Sequence, residues 1–372
     1  MRTKLKNQLI FFFPVFSIGG VEKNFFSISG YLSNELSNTK ISLITYNQNN
    51  FTRNKINSKI NVHTFFLKLI PLPRRFKFII CSLILFFKLL FKSNTLIFSF
   101  QGNFYSLLIA AILRKKIIIR SNLSPEYWSK SKFKKKIFKY LLSKSDFIIV
   151  NSNKFKDNFE KEFNLKCSRI YNPISFSEIK KNINLNFKYK FFKKKTLNLI
   201  NIGRLVKIKN QIEILIALKK QEKMNNFRLL IIGDGPEKKN IKNYIKNNKL
   251  NRIVKILSAQ TNKFNYLNCA DIFVCSSTNE GMPNVLLEAA VLKKFIISSD
   301  CPTGPKEIIN NYKYGKLYKI FDKKKLTNIL RYIENNRIIL KSKKKKINYN
   351  GKIFDEKYNL NKYKIITKSL LN

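Results

Sequence analysis

The stretch "DIFVCSSTNEGMPNVLLEAAVLKKFIISSD", residues 271–300, decides the fold of this chain. "DIFVCSS" is a short apolar, β-rich run and reads as a buried strand; "FIISS" is another. Between them, "TNEGMPNVLLEAAVLKK" is a loop feeding a helix. Pro283 suits the first helical turn, where its missing N–H costs nothing. Near-continuous apolar strands joined by helical crossovers indicate a parallel sheet covered on both faces. Two carboxylates bracket the helix start: Glu280 in the loop and Glu288 about one turn in.

Outward from this unit the same alternation continues. The first half offers "QLIFFF", "KISLITY", "TLIFSF", "KIIIRS", "DFIIVNS" and "SRIYNPI" as strands, with helical-period segments such as "EKNFFSISGYLSNEL" between most of them. The pattern breaks into a charged run and restarts with "TLNLINIG", "FRLLIIG" and "IVKILSA". We therefore expect an α/β protein with two Rossmann-like, doubly wound parallel-sheet domains facing a central cleft. The boundaries read as a first domain over 1–180, a linker over 181–195, a second domain over 196–350, and a helix over 351–372 packing back on the first domain. In such sheets ligands bind outside the carboxyl ends of the strands, so the useful residues should lie just after each strand.

Composition narrows the function classes. The chain of 372 residues carries 73 Lys and Arg against 21 Asp and Glu, a formal charge of +52. Only 12 of the 73 are Arg, and Lys, Asn, Ile and Phe, all with A/T-rich codons, fill the chain. The excess is therefore compositional, and no Arg/aromatic cluster or reader motif marks a nucleic-acid-binding protein. The charge should still draw the protein to anionic surfaces. Five scattered cysteines without a CxxC pair read as reduced, buried thiols in a cytosolic protein, and the one histidine, His63, has no ligand residues beside it. No secretory signal is expected: Pro14 and the glycine pair suit a strand and loop. Residues 74–92, "RRFKFIICSLILFFKLLFK", hold an uncharged run of ten residues, too short for an ordinary span. Two readings fit them: a cationic helix lying in a membrane interface, or a helix packed on a sheet.

Four loops follow strands and open helices. Gly19 and Gly20 in "SIGGVEKN" let backbone amides approach a ligand at a helix N-terminus, although by themselves a tight turn is the better reading of them. In "GRLVKIKNQ", Gly203 permits a sharp exit, while Arg204 and Lys209 offer a planar fork and a mobile point charge for phosphate oxygens, with Lys207 a competing candidate. Gly233 and Gly235 in "IIGDGPE" make a tight turn. The amides from Gly281 through Met282 and Asn284 to Val285, around Pro283, would form an anion site at a helix start, and Glu288 could accept hydrogen bonds from a ribose diol.

At this point the sequence resembles the GT-B-fold retaining glycosyltransferases of family 4, the group of bacterial polysaccharide and lipid-linked-oligosaccharide transferases. "GGVEK", "NIGRLVKIKNQ", "IIGDGPE", "EGMPNVLLEA" and "SDCPTGPKEII" carry the resemblance, in family order. It implies that Arg204 and Lys209 neutralise a nucleotide diphosphate, that Glu280 contacts donor-sugar hydroxyls, that Glu288 holds the ribose, and that the amides of 282–285 meet the phosphates. It also implies no metal or other cofactor, with a nucleotide sugar, expected to be UDP-linked, as substrate. The expected activity is transfer of a hexose or N-acetylhexosamine, with retention, to a growing lipid-linked glycan, by an enzyme held peripherally at the inner face of the cytoplasmic membrane. Many relatives place a histidine where this chain has Arg120, Ser121 and Asn122. Asn122, with Arg120 beside it, could contact a sugar or acceptor but cannot shuttle a proton. A non-catalytic GT-B subunit and a GT-B sugar-nucleotide epimerase are the alternative readings.

Overall fold

The computed structural model describes residues 7–17, 19–46, 50–64, 72–122, 131–338, 340 and 351–372. The chain divides into two compact units, residues 1–173 with 357–372, and residues 174–356.

The first unit is built on seven parallel strands: β1 (Asn7–Phe12), β2 (Thr39–Ile44), β3 (Asn61–His63), β4 (Thr95–Ser99), β5 (Lys116–Arg120), β6 (Phe147–Val150) and β7 (Ser168–Arg169). Their order is β3-β2-β1-β4-β5-β6-β7. The continuous apolar run at β1 is required because both faces of that strand are covered. Leu9, Phe11 and Phe13 enter one core with Phe25, Ile28 and Leu32 of the helix Gly20–Glu35. Ile10 and Phe12 enter the other, with Cys81, Leu85 and Leu89 of the helix Arg74–Leu89. The alternation is the two-residue period of a strand, and the helical spacings i, i+3, i+7 and i, i+4, i+8 are the inner stripes that match it. Each fully buried Phe here contributes about 2–3 kcal/mol of transfer free energy.

The second unit has six parallel strands: β8 (Leu197–Ile202), β9 (Phe227–Ile232), β10 (Val254–Leu257), β11 (Ile272–Cys275), β12 (Phe295–Ser299) and β13 (Gly315–Tyr318). They lie in the order β10-β9-β8-β11-β12-β13. The expected α/β architecture of two doubly wound parallel sheets is present; β3 and β13 are strands that the sequence reading did not name.

The expected domain boundaries need correction. The division falls after Pro173, and residues 181–195 belong to the second unit. They are not a structureless linker, because their aromatic residues have somewhere to go: Phe187 and Tyr189 stack edge-on against Tyr266, at 5.0 and 5.2 Å between ring centroids. The backbone N–H of Asn184 donates to Asn265 Oδ1 at 2.8 Å. Where the chain returns, Ile174 pairs with Asp355 in an isolated parallel bridge. Residues 341–350, the end of the expected second domain, lie outside the described residues. The helix Glu356–Leu371 packs into the first unit, with Tyr363 fully buried against the ring of Phe98.

Among the described residues, no helix is long and apolar enough to cross a membrane. The helix Arg74–Leu89 lies on the sheet by its inner stripe; its outer face is exposed.

Candidate active site

In the second sheet the strand order reverses at β8, whose neighbours are β9 and β11. β8 and β11 pair only through Leu199–Ile272 and Ile200–Phe273. Beyond that point the Asn201 side-chain amide donates to the Val274 carbonyl at 2.8 Å, holding the two strands as they part. The loops leaving β8 and β11 therefore start side by side at a topological switch point, where open α/β sheets bind ligands.

Those two loops are sewn together. The loop after β8 ends in a short 3-10 turn over Lys207–Lys209. Thr278 N–H donates to the Ile208 carbonyl at 2.8 Å, and Ser276 Oγ donates to the Lys209 carbonyl at 2.9 Å. With its backbone fixed, Lys209 extends over Gly203, where an added Cβ would lie 3.8 Å from its Cε. Its ammonium pairs with Glu280, 71 residues away. Burial works against the charge on Lys209, but the Glu280 carboxylate outweighs it and holds the ammonium above the ordinary lysine value. Ser277 Oγ donates to the same Glu280 oxygen at 2.7 Å. Lys207 is exposed, so between the two candidate lysines the structure brings Lys209 to the carboxylate.

A third loop braces this pair. Thr303 Oγ1 donates to the Glu280 carbonyl. Gly304, at φ +92°, lies against Gly281, and a Cβ there would stand 2.1 Å from the Gly281 carbonyl oxygen. Glycine is required for this approach, which explains "PTGP" one strand after "EGMP". Gly233 and Gly235 have the same reason: added Cβ atoms would meet the carbonyl oxygens of Gly203 and Leu205 at 1.9 and 2.3 Å. They let the β9 loop pass under the β8 loop. Cys275 and Cys301 are buried near Lys209 and Glu280, and burial pushes both thiols up, so they are neutral there.

The helix start reads slightly differently from expectation: Pro283 precedes the helix Asn284–Val291 instead of opening its first turn. Met282, Pro283 and Asn284 are buried, while Gly281 and Val285 are partly exposed. Glu288 is fully buried, and Lys263, from the start of the helix Lys263–Cys269, places its ammonium on Glu288 Oε2. Arg204 is exposed, and among the described residues its guanidinium has no hydrogen-bond or ion-pair partner.

The remaining expected residues belong to the first unit. Gly19 precedes the helix Gly20–Glu35, and Glu22 folds back to accept from Ser17 N–H at 3.0 Å and from Ser17 Oγ at 2.6 Å. Arg120 is not available to a sugar or acceptor. It is wholly buried at the end of β5, donating to Tyr363 Oη at 2.9 Å, to Asn172 Oδ1 at 2.6 Å and to Asn122 Oδ1. The Asn122 amide nitrogen donates in turn to the Phe100 carbonyl at 2.9 Å, so both ends of that side chain are engaged. His63 lies in β3, and burial, with Lys88, Lys92 and Lys40 nearby, lowers it to about 4. It is neutral at pH 7.

Ser276, Ser277, Thr303 and Lys263 complete the site and were not singled out from the sequence. The first two follow directly after a strand, a signal that could have found them. Among the described residues, no group of three or more His, Cys, Asp or Glu side chains could hold a metal.

Comparison with known proteins bears on this geometry. Residues 182–354 match the family model described as glycosyl transferases group 1. An uncharacterized glycosyltransferase of Methanocaldococcus jannaschii is 34% identical over 178 residues, 46% of this chain and 44% of that protein. The alignment thus spans less than half the length of that relative. The N-acetylgalactosamine-N,N'-diacetylbacillosaminyl-diphospho-undecaprenol 4-alpha-N-acetylgalactosaminyltransferase of Campylobacter jejuni is 24% identical over 253 residues, 65% of this chain and 67% of that one. In fold, the chain matches Anabaena HepE in complex with UDP, with a TM-score of 0.74 at 16% identity over 98% of this chain and 100% of that one.

Proposed function

We propose that this chain, whose residues 182–354 match the family model of glycosyl transferases group 1, is a retaining glycosyltransferase that moves a hexose or N-acetylhexosamine from a UDP-sugar to a lipid-linked glycan in cell-surface polysaccharide or lipopolysaccharide synthesis. The observation that carries the reading is the Lys209–Glu280 pair, built across the β8/β11 switch point from two loops fastened to each other. UDP is supported by the Anabaena complex, and a lipid-linked acceptor by the Campylobacter relative's name.

In this reading the unpartnered guanidinium of Arg204 and the ammonium of Lys209 meet the diphosphate. As the bond from the anomeric carbon to the diphosphate oxygen breaks, charge grows on that oxygen, and cations beside it, Lys209 held in place by Glu280, stabilise it more than they stabilise the ground state. Glu280 keeps Lys209 charged and presents its second oxygen to donor-sugar hydroxyls. The acceptor hydroxyl attacks from the face the diphosphate leaves and gives its proton to the departing diphosphate oxygen, so no protein nucleophile is needed, and the neutral Cys275 and Cys301 take no part. Glu288 receives the ribose diol. Lys263 covers that carboxylate, so donor binding has to displace or share its ammonium. The positive side chains do the work of charge neutralisation, and the reaction needs no metal. The acceptor places the enzyme at the inner leaflet of the cytoplasmic membrane as a peripheral protein.

The test is a binding panel of UDP-, GDP- and ADP-sugars with EDTA present, on the wild type and on Glu288→Ala. UDP-sugar binding that survives EDTA and is lost in the variant, with its unfolding midpoint checked separately, is the expected result. No nucleotide binding to the wild type would sink the transferase reading.

A further inference from the structure

Three successive helices cover one face of the first sheet: Arg74–Leu89, Asn103–Ile112 and Lys132–Ser143. Their inner residues, among them Cys81, Leu85, Leu107, Ala110, Leu141 and Leu142, enter one core. Phe78 and Tyr105 touch between the first two helices and Phe104 and Phe138 between the second and third, so the three form one continuous layer. An ordinary covering layer turns polar on its outer side. This one does not.

On the first helix Phe76, Ile79, Leu83 and Phe87 are exposed, followed by Leu90 and Phe91. The spacing keeps them on one stripe, opposite the inward residues. The second helix exposes Phe104, Leu108 and Ile112, at i, i+4, i+8, and the third exposes Phe133, Ile137 and Tyr140, at i, i+4, i+7. Phe91 is 93% exposed, Phe133 72% and Phe87 67%. Twelve of the nineteen large apolar side chains exposed among the described residues lie in these stripes, so the pattern belongs to this face and not to the surface as a whole. A patch of this kind marks an interaction surface.

We propose that the outer face of these three helices docks on an anionic lipid leaflet. The charges choose the occupant. The first helix carries Arg74, Arg75, Lys77 and Lys88, and the third carries Lys132, Lys134, Lys135, Lys136 and Lys139. None of the three helices contains Asp or Glu, although Lys135 is paired with Glu162 of the helix Asn153–Phe163. A second copy of this face would set lysine against lysine in a chain already at +52. A leaflet with anionic headgroups instead takes the lysines at its surface while the apolar stripes sink to the acyl boundary, the long lysine side chains reaching back to the headgroups. A helix of sixteen residues lies about 24 Å along such a surface. The purpose of this docking, bringing a lipid-linked acceptor within reach, rests on the transferase reading; the surface itself does not.

The experiment is flotation of the full chain with vesicles of phosphatidylcholine alone and of phosphatidylcholine with phosphatidylglycerol, alongside UDP binding. The wild type should float with the anionic vesicles, less at high salt. The exposed double substitution L83E/F87E should lower that partitioning at least about ten-fold without changing UDP binding. The charge-matched control K242Q/K246Q, on the exposed side of a second-unit helix, should leave it nearly unchanged. Equal losses in both variants would reduce the effect to net charge and overturn the proposal. So would full binding by L83E/F87E, or a concentration-dependent dimer that this substitution dissolves. Vesicle binding by a chain that binds no nucleotide would leave the surface standing and remove only the transferase reading.

Discussion

In both units the strand order turns back beside the first strand, between β1 and β4 in one and between β8 and β11 in the other. What lies beyond those strand ends differs. In the second unit the loops after β8, β11 and β12 meet around an ion pair that is still partly open, with the Glu280 side chain 12% and the Lys209 side chain 23% exposed. In the first unit the charged group at the end of β5 is tied up by its neighbours. Ser99 Oγ donates to Asn103 Oδ1, Asn103 Nδ2 donates to the Arg120 carbonyl, and the Arg120 guanidinium holds Tyr363, Asn172 and Asn122. One sheet type thus supports a site in one case and a fastening in the other. The difference is whether the charged group at the strand end is left within reach of a ligand.

The sharpest way to break this comparison is to remove the fastening. Arg120→Ala leaves a cavity and strips partners from Tyr363 and Asn172, and should cost about 3–5 kcal/mol of stability in the first unit. Hydrogen exchange should show β4 and β5 losing protection while β8 and β11 keep theirs. Equal loss in both sheets would mean that the arginine does more than secure its own unit.

A second, somewhat smaller effect belongs to the site. Lys209→Met should lower kcat/KM by about 10²–10³-fold, roughly 3–4 kcal/mol, with little change in the unfolding midpoint of the first unit. A variant with near-normal kcat would take Lys209 out of charge stabilisation.

A further contrast separates the units by pH. His63 titrates at about 4 when folded, against an ordinary 6.5, so between these values the unfolded chain holds the extra proton and the first unit gains stability as pH rises. Glu213 is buried in the second unit, and burial raises it from 4.5 to about 6. There the native state holds the extra proton, so the second unit loses stability as pH rises across that window, by at most about 2 kcal/mol. His63→Gln and Glu213→Gln should each flatten one slope in urea titrations between pH 4 and 7. Slopes of the same sign in both units would remove the contrast.

The two units also differed in how far they could be read from sequence. Strands buried on both faces announce themselves by apolar runs, and β1, β4, β8, β9 and β12 were legible for that reason. The half-exposed β3 and β13 carry no such run. In the second unit Glu280 and Lys209 sit in glycine- and proline-marked segments that follow strands, and Glu288 lies one turn into the next helix, so all three could be marked as candidates. Lys263 could not, because it lies 25 residues before Glu288 and nothing local marks it among so many lysines. Arg120 was misread for a related reason. It follows an apolar strand, as a ligand-facing residue would, but its place is settled by Tyr363, 243 residues later. The aromatic residues of 187–192 were hidden by the lysines between them.

That long reach has a consequence for how the protein is made. The core of the first unit takes in Leu360 and Tyr363, but residues 174–356 are synthesised before them. At about 5–20 residues per second, the ribosome reaches this last helix roughly ten to forty seconds after finishing β7. The second unit, being continuous in the chain, can complete its sheet in that interval, while the first waits for the tyrosine partner of its buried arginine. The part of the chain made first is therefore the part that finishes folding last.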